Sequence, residues 1–96
     1  MDRGSLSRAF GHELRVRRRG AGLTAEQMWN LLQWRRGTYR RTESGLREPT
    51  LGDICEIAEA FNVSPSTIVV AAKKRWEAGD YPERNPGDEW QDILGT

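Results

Sequence analysis

Arg35, Arg36, Arg40 and Arg41 fall within seven residues of one another, with Gly37 among them. At helical spacing, Arg36, Gly37, Arg40 and Arg41 share one outward side. A guanidinium is permanently charged and presents a planar fork of donors, which suits phosphate oxygens and the O6 and N7 acceptors of guanine. An α-helix fits the major groove of B-DNA, where one well-placed arginine–guanine pair is worth ~1–3 kcal/mol of discrimination. Gly37, lacking a side chain, would let such a helix come close to a base edge or a thymine methyl. Other chemistry is sparse. Cys55 is the sole cysteine and His12 the sole histidine, which excludes an internal disulfide, a cysteine-cluster metal site and any site built on two imidazoles. No nucleophile–base pair stands at a motif spacing and no Gly-rich phosphate loop is present. A non-enzyme without metal or cofactor is the expectation. Cys55, on the edge of an apolar helix face, is expected to be a buried, inert thiol, and His12 a surface residue.

Charge is divided along the chain. Residues 1–48 hold 11 arginines against 5 carboxylates, a balance of +6; residues 49–96 hold 4 basic side chains against 9 acidic ones, a balance of −5. Such asymmetry points to an anionic partner for the first half. A solvated basic face remains the plainer alternative. No apolar run is long enough to span a bilayer, and the N-terminus lacks the apolar core of a secretory signal, so a cytoplasmic location is expected.

The elements that must position these arginines are all helical. With 96 residues, 36% of them hydrophobic, the chain supports one compact domain. Leu6, Phe10 and Leu14 mark a first helix running to about Arg19, stopped by Gly20 and Gly22. Thr24 followed by Gln27 forms a capping box for a second helix with Met28, Leu31 and Leu32 as its buried stripe. Arg35–Ser44 reads as a third helix, with Tyr39 and Thr42 inward and Gly45 at its end. Pro49 keeps 46–49 a loop. Thr50 and Asp53 open a fourth helix in which Leu51, Ile54, Ile57, Ala58 and Phe61 follow the amphipathic rhythm. Ser64-Pro65 opens a fifth, lined by Ile68, Val69, Ala72 and Trp76 and closed by Gly79. The expected organisation is a flexible end at 1–5, a helical domain at 6–79, and an acidic tail at 80–96 with room for a short helix.

Short helices at 24–32 and 35–43, joined by two or three residues, must cross steeply and leave the second one protruding. With Leu14-Arg15, Arg18, Gly22-Leu23-Thr24, Met28, Leu32, Trp34, Tyr39, Glu43, Gly45, Pro49, Ile57-Ala58 and Phe61 at matching spacings, the stretch from Phe10 to Val69 resembles the Cro and phage-repressor (XRE-type) helix-turn-helix family. The resemblance implies a five-helix, lambda-repressor-like, all-α DNA-binding domain. It further implies that Arg36, Gly37 and Arg41 read bases from the recognition helix, which also carries Arg35, Thr38 and Arg40 toward DNA. Thr24 and Ala25 would approach phosphate through backbone amides, Arg47 would grip the DNA backbone, and Arg18 and Glu43 would form a buried structural ion pair. Arg15, Arg17 and Arg19 stand between phosphate contact and solvation. The family usually has a small Ala at the position of Trp29 and a Gly at that of Gln33. A Gln held in left-handed geometry costs ~1–2 kcal/mol, and an indole at 29 either widens the helix crossing or swings outward. Trp34 and Tyr39 are expected in the core. For Trp29 a core wedge, a DNA-facing indole and a partner contact are all open.

Val70 and Ala71 extend the apolar surface of the fifth helix beyond one stripe, which makes that helix the candidate dimer face. Trp76 and Trp90 are either further dimer contacts or tail-on-body packing. The reading is a transcriptional regulator, a Cro-like or immunity repressor of phage type, binding duplex operator DNA as a two-fold dimer. The alternative is an antitoxin that autoregulates its operon and grips a toxin through its C-terminal segment.

Overall fold

The computed structural model describes residues 2–83, and all regular structure within them is helical: α1 Arg3–Gly20, α2 Ala25–Leu32, α3 Arg36–Ser44, α4 Leu51–Ala60 and α5 Pro65–Ala78. The architecture is all-α with five helices, as expected. α1 lies across α5 and the end of α3, α4 packs on α5, and α2 is held between α3 and α4. One core of Phe10, Leu14, Met28, Leu32, Tyr39, Ile57, Ala58, Ile68 and Ala72 joins all five. The candidate tail contacts, Trp90 among them, lie outside the described residues.

Caps set the helix ends. Thr24 and Thr50 each form a complete capping box, with Gln27 and Asp53 respectively, and Ser64 caps α5 ahead of Pro65. α1 begins earlier than its apolar rhythm indicates. Asp2 accepts the Ser5 amide at 2.7 Å, so residues 3–5 are helical rather than a frayed end. Ser5 and Ser7 are buried beneath the neighbouring helices. Arg35 is the extended residue before α3, not its first turn.

Two glycines allow α1 to rest directly on the end of α3. A Cβ on Gly11 would stand 2.3 Å from the Glu43 carbonyl oxygen, and one on Gly45, whose φ is +84°, would stand 2.6 Å from the Cα of Arg8. No side chain fits at either contact.

Several apolar expectations are corrected. Leu31 is 57% and Leu51 76% exposed. α2 is short and buries only the narrow stripe of Met28 and Leu32, while Leu51 sits in the first turn of α4 beyond the reach of a neighbour. Val69 turns out of the α5 core stripe and is 45% exposed. Cys55 is exposed, not buried. His12 is half-buried rather than a surface residue, with its Nδ1 enclosed and unbonded among the described residues.

Candidate nucleic-acid interface

The turn between α2 and α3 is set by backbone geometry. Gln33 ends α2 in the left-handed region (φ 61°, ψ 37°), and the Trp34 amide donates back to the Trp29 carbonyl at 2.9 Å. Gln33, Trp34 and Arg35 alone separate the two helices. α3 is fixed through one side: Tyr39 and Thr42 are fully buried and Glu43 nearly so. The opposite side presents Arg41 to solvent, while Arg36 in the first turn and Arg35 just before it are exposed at the helix start. Among the described residues none of these three guanidinium groups pairs with a carboxylate.

The remaining arginines of the region differ. Arg41 leans back along α3, so that a Cβ on Gly37 would lie 2.9 Å from its Nη1; in the free protein the guanidinium covers the bare backbone there. Arg40 is half-buried with its guanidinium over the Trp29 ring, 5.7 Å from the centroid. Arg47 is engaged within the chain. Its Nη1 donates to Thr42 Oγ1 at 2.9 Å and pairs with Asp53 at 2.9 Å, and its guanidinium lies 5.8 Å from the Trp34 centroid. Thr38 is half-buried on the flank of α3. At the start of α2, Thr24 is exposed and its cap is filled by Gln27. By helix geometry the amides of Ala25 and Glu26 lack an intrahelical acceptor and face outward. Glu26 places a carboxylate in that same turn, which opposes an approaching phosphate.

Behind the open face lies a buried ionic clasp. Arg18 Nε and Nη2 donate to the two carboxylate oxygens of Glu43, each at 2.9 Å, and Nη1 donates to the Leu23 carbonyl at 2.8 Å. The Tyr39 hydroxyl donates to the same carboxylate, and Arg15 approaches it at 3.3 Å. Burial pushes the Glu43 carboxyl up, but hydrogen bonds from Arg18 and Tyr39 and the charges of Arg18 and Arg15 outweigh it, holding the group below the ordinary 4.5. Burial, reinforced by the Glu43 carboxylate, drives the Tyr39 phenol far up, so it stays a donor.

A second clasp escaped the sequence reading. Glu13, buried on α1, receives Arg17 from its own helix and Arg75 from α5, the latter at 2.7 Å, while Arg75 also reaches Asp80 at 2.6 Å. The i,i+4 pair Glu13–Arg17 was visible in the sequence; Arg75, 62 residues away, carried no signal. Trp76 is likewise engaged within the chain: its Nε1 donates to Ser5 Oγ at 2.9 Å. Val70 is 50% exposed and Ala71 half-buried.

The family model described as a helix-turn-helix domain matches residues 9–68, a span that begins in α1 and ends in α5. The chain belongs to the helix-turn-helix domain family. Neither curated proteins nor solved structures give a match. As a helix-turn-helix protein the chain is a DNA-binding regulator, with α2 and α3 forming the motif. Among the described residues no three metal-ligating side chains cluster, and no single helix is long and apolar enough to cross a membrane.

Proposed function

We propose that the chain is a sequence-specific repressor of the Cro and phage-repressor type, laying α3 in the major groove of an operator. One observation carries this reading: Arg41 stands exposed on the side of α3 opposite the buried Tyr39, Thr42 and Glu43, with Arg35 and Arg36 exposed at the helix start, and among the described residues none of the three pairs with a carboxylate. In this reading Arg36 and Arg41 reach base edges. Arg41 swings off Gly37 as the helix enters the groove, and the uncovered glycine then permits close approach. Arg35, Thr38 and the free Ala25 amide meet phosphate, while the Thr24 amide is held by Gln27. Arg47, tied to Asp53 and Thr42, holds the loop after α3 and offers only its remaining donors to the DNA backbone.

A two-fold dimer through the α5 surface of exposed Val70 and half-buried Ala71 completes the proposal. It requires inverted half-sites centred about one helical turn apart, ~10 bp. The experiment is selection from random duplex DNA. Enrichment of an inverted repeat with that spacing supports the reading; a pool that stays random at low ionic strength refutes it.

A further inference from the structure

Trp29, Tyr39 and Trp34 form an aromatic row beneath the motif. Trp29 and Tyr39 have ring centroids 6.3 Å apart, Tyr39 and Trp34 6.2 Å apart, both tilted. An arginine caps each end, Arg40 over Trp29 and Arg47 over Trp34. Arg47 has other partners, Thr42 and Asp53. Arg40 has none of that kind among the described residues, and its Nε is buried without a hydrogen bond. What holds this guanidinium is the indole face, and cation–π attraction over tryptophan is the strongest of its class.

We propose that Trp29 is a positioning residue, holding Arg40 on the flank of the DNA-facing surface, where Arg40 grips a backbone phosphate and not a base edge. Geometry supports this role, which rests on the DNA-binding reading above. On α3 the side opposite the buried Tyr39, Thr42 and Glu43 is centred on Gly37 and Arg41. Arg40 sits about 100° around the helix from Arg41, and its head is drawn further aside, onto a residue of α2. The major groove is only about 12 Å wide. A side chain tethered to the helix before the recognition helix therefore meets the groove wall, where the first helix of this motif crosses the DNA backbone. With Nε turned inward, the terminal Nη donors remain for an anion. A tethered guanidinium also gives up less rotamer freedom on binding than a free one.

The test measures affinity for a short mixed-sequence duplex across a range of salt concentrations, with a melting curve for every variant. Arg40→Ala is expected to lower the slope of log K against log salt by about one and to leave the base preferences of the selected site unchanged. Trp29→Ala should reproduce most of that loss, Trp29→Phe should restore much of it, and the double variant should bind no worse than Arg40→Ala. If Trp29→Ala does not fold, Trp29→Leu keeps apolar volume without a ring face and carries the same expectation. An unchanged slope for Arg40→Ala, a relaxed preference at one base position, or strictly additive losses for Trp29 and Arg40 would overturn the inference while leaving DNA binding intact. A wild-type protein that ignored duplex at low salt would instead remove the functional reading on which the inference rests.

Discussion

Arg18 and Arg41 carry the same head group and do opposite work. Arg18 is buried between α1 and α3, with both oxygens of Glu43 and the Leu23 carbonyl as acceptors. Arg41 lies on the open side of α3, over a glycine and with no carboxylate partner among the described residues. Burial raises the energetic weight of every contact the first makes, while water screens the second until a ligand displaces it. A buried guanidinium with matched acceptors fixes the angle of the helix; an exposed one on the far side of that helix is left for a partner. The two regions should therefore separate in experiment, one moving stability and the other moving recognition.

The largest effect is expected at the buried clasp. Glu43→Ala strands the Arg18 charge and should cost ~3–5 kcal/mol of stability, read as a lower denaturant midpoint; an equal cost for Arg41→Ala would erase the distinction. Gly11→Ala drives a methyl into the Glu43 carbonyl and should cost ~1–3 kcal/mol, despite the better helix propensity of alanine. Arg41→Ala should weaken the selected operator by ~1–3 kcal/mol and relax one base position, with the denaturant midpoint unmoved.

Acid sharpens the same contrast. Glu43 is held below its ordinary 4.5, so the stability it contributes is present above that value and is lost as pH falls through the lower folded value. Burial first, and then the charge of Arg75, hold His12 below its ordinary 6.5, with Asp80 and Glu13 opposing and Arg15 assisting. The unfolded chain thus binds this proton more readily, and a first, milder loss begins as pH drops beneath 6.5. Stability measured from pH 7 downward should fall in two stages, with His12→Asn flattening only the first.

The smallest effect is a gain. Gln33→Gly relieves a left-handed residue worth ~1–2 kcal/mol but loosens the unfolded chain, leaving about 0.5–1 kcal/mol of net stabilisation. A melting curve that moves downward would show that the Gln33 side chain matters in another way.

The five helices were legible because caps and apolar periodicity agree locally: Thr24 with Gln27, Thr50 with Asp53, and Ser64 with Pro65 each mark a start. The exposed side of α3 was legible for the same reason, since Gly37 and Arg41 lie opposite Tyr39 in any helix. What sequence spacing could not supply was the destination of long side chains. Arg40 goes to Trp29, Arg47 to Asp53 and Arg75 to Glu13, and each depends on how two helices cross. The exposure of Cys55 and Leu51 was hidden similarly, because the rhythm of α4 names an apolar side without saying how much of it a neighbour covers.

The most direct test compares wild type with Arg41→Ala on a panel of single-base variants of the selected operator, at one salt concentration. Wild type is expected to discriminate at each half-site position, and Arg41→Ala to lose discrimination at one of them while keeping the rest. Equal losses across every variant, or no discrimination by the wild type, would contradict the claim that α3 reads base edges.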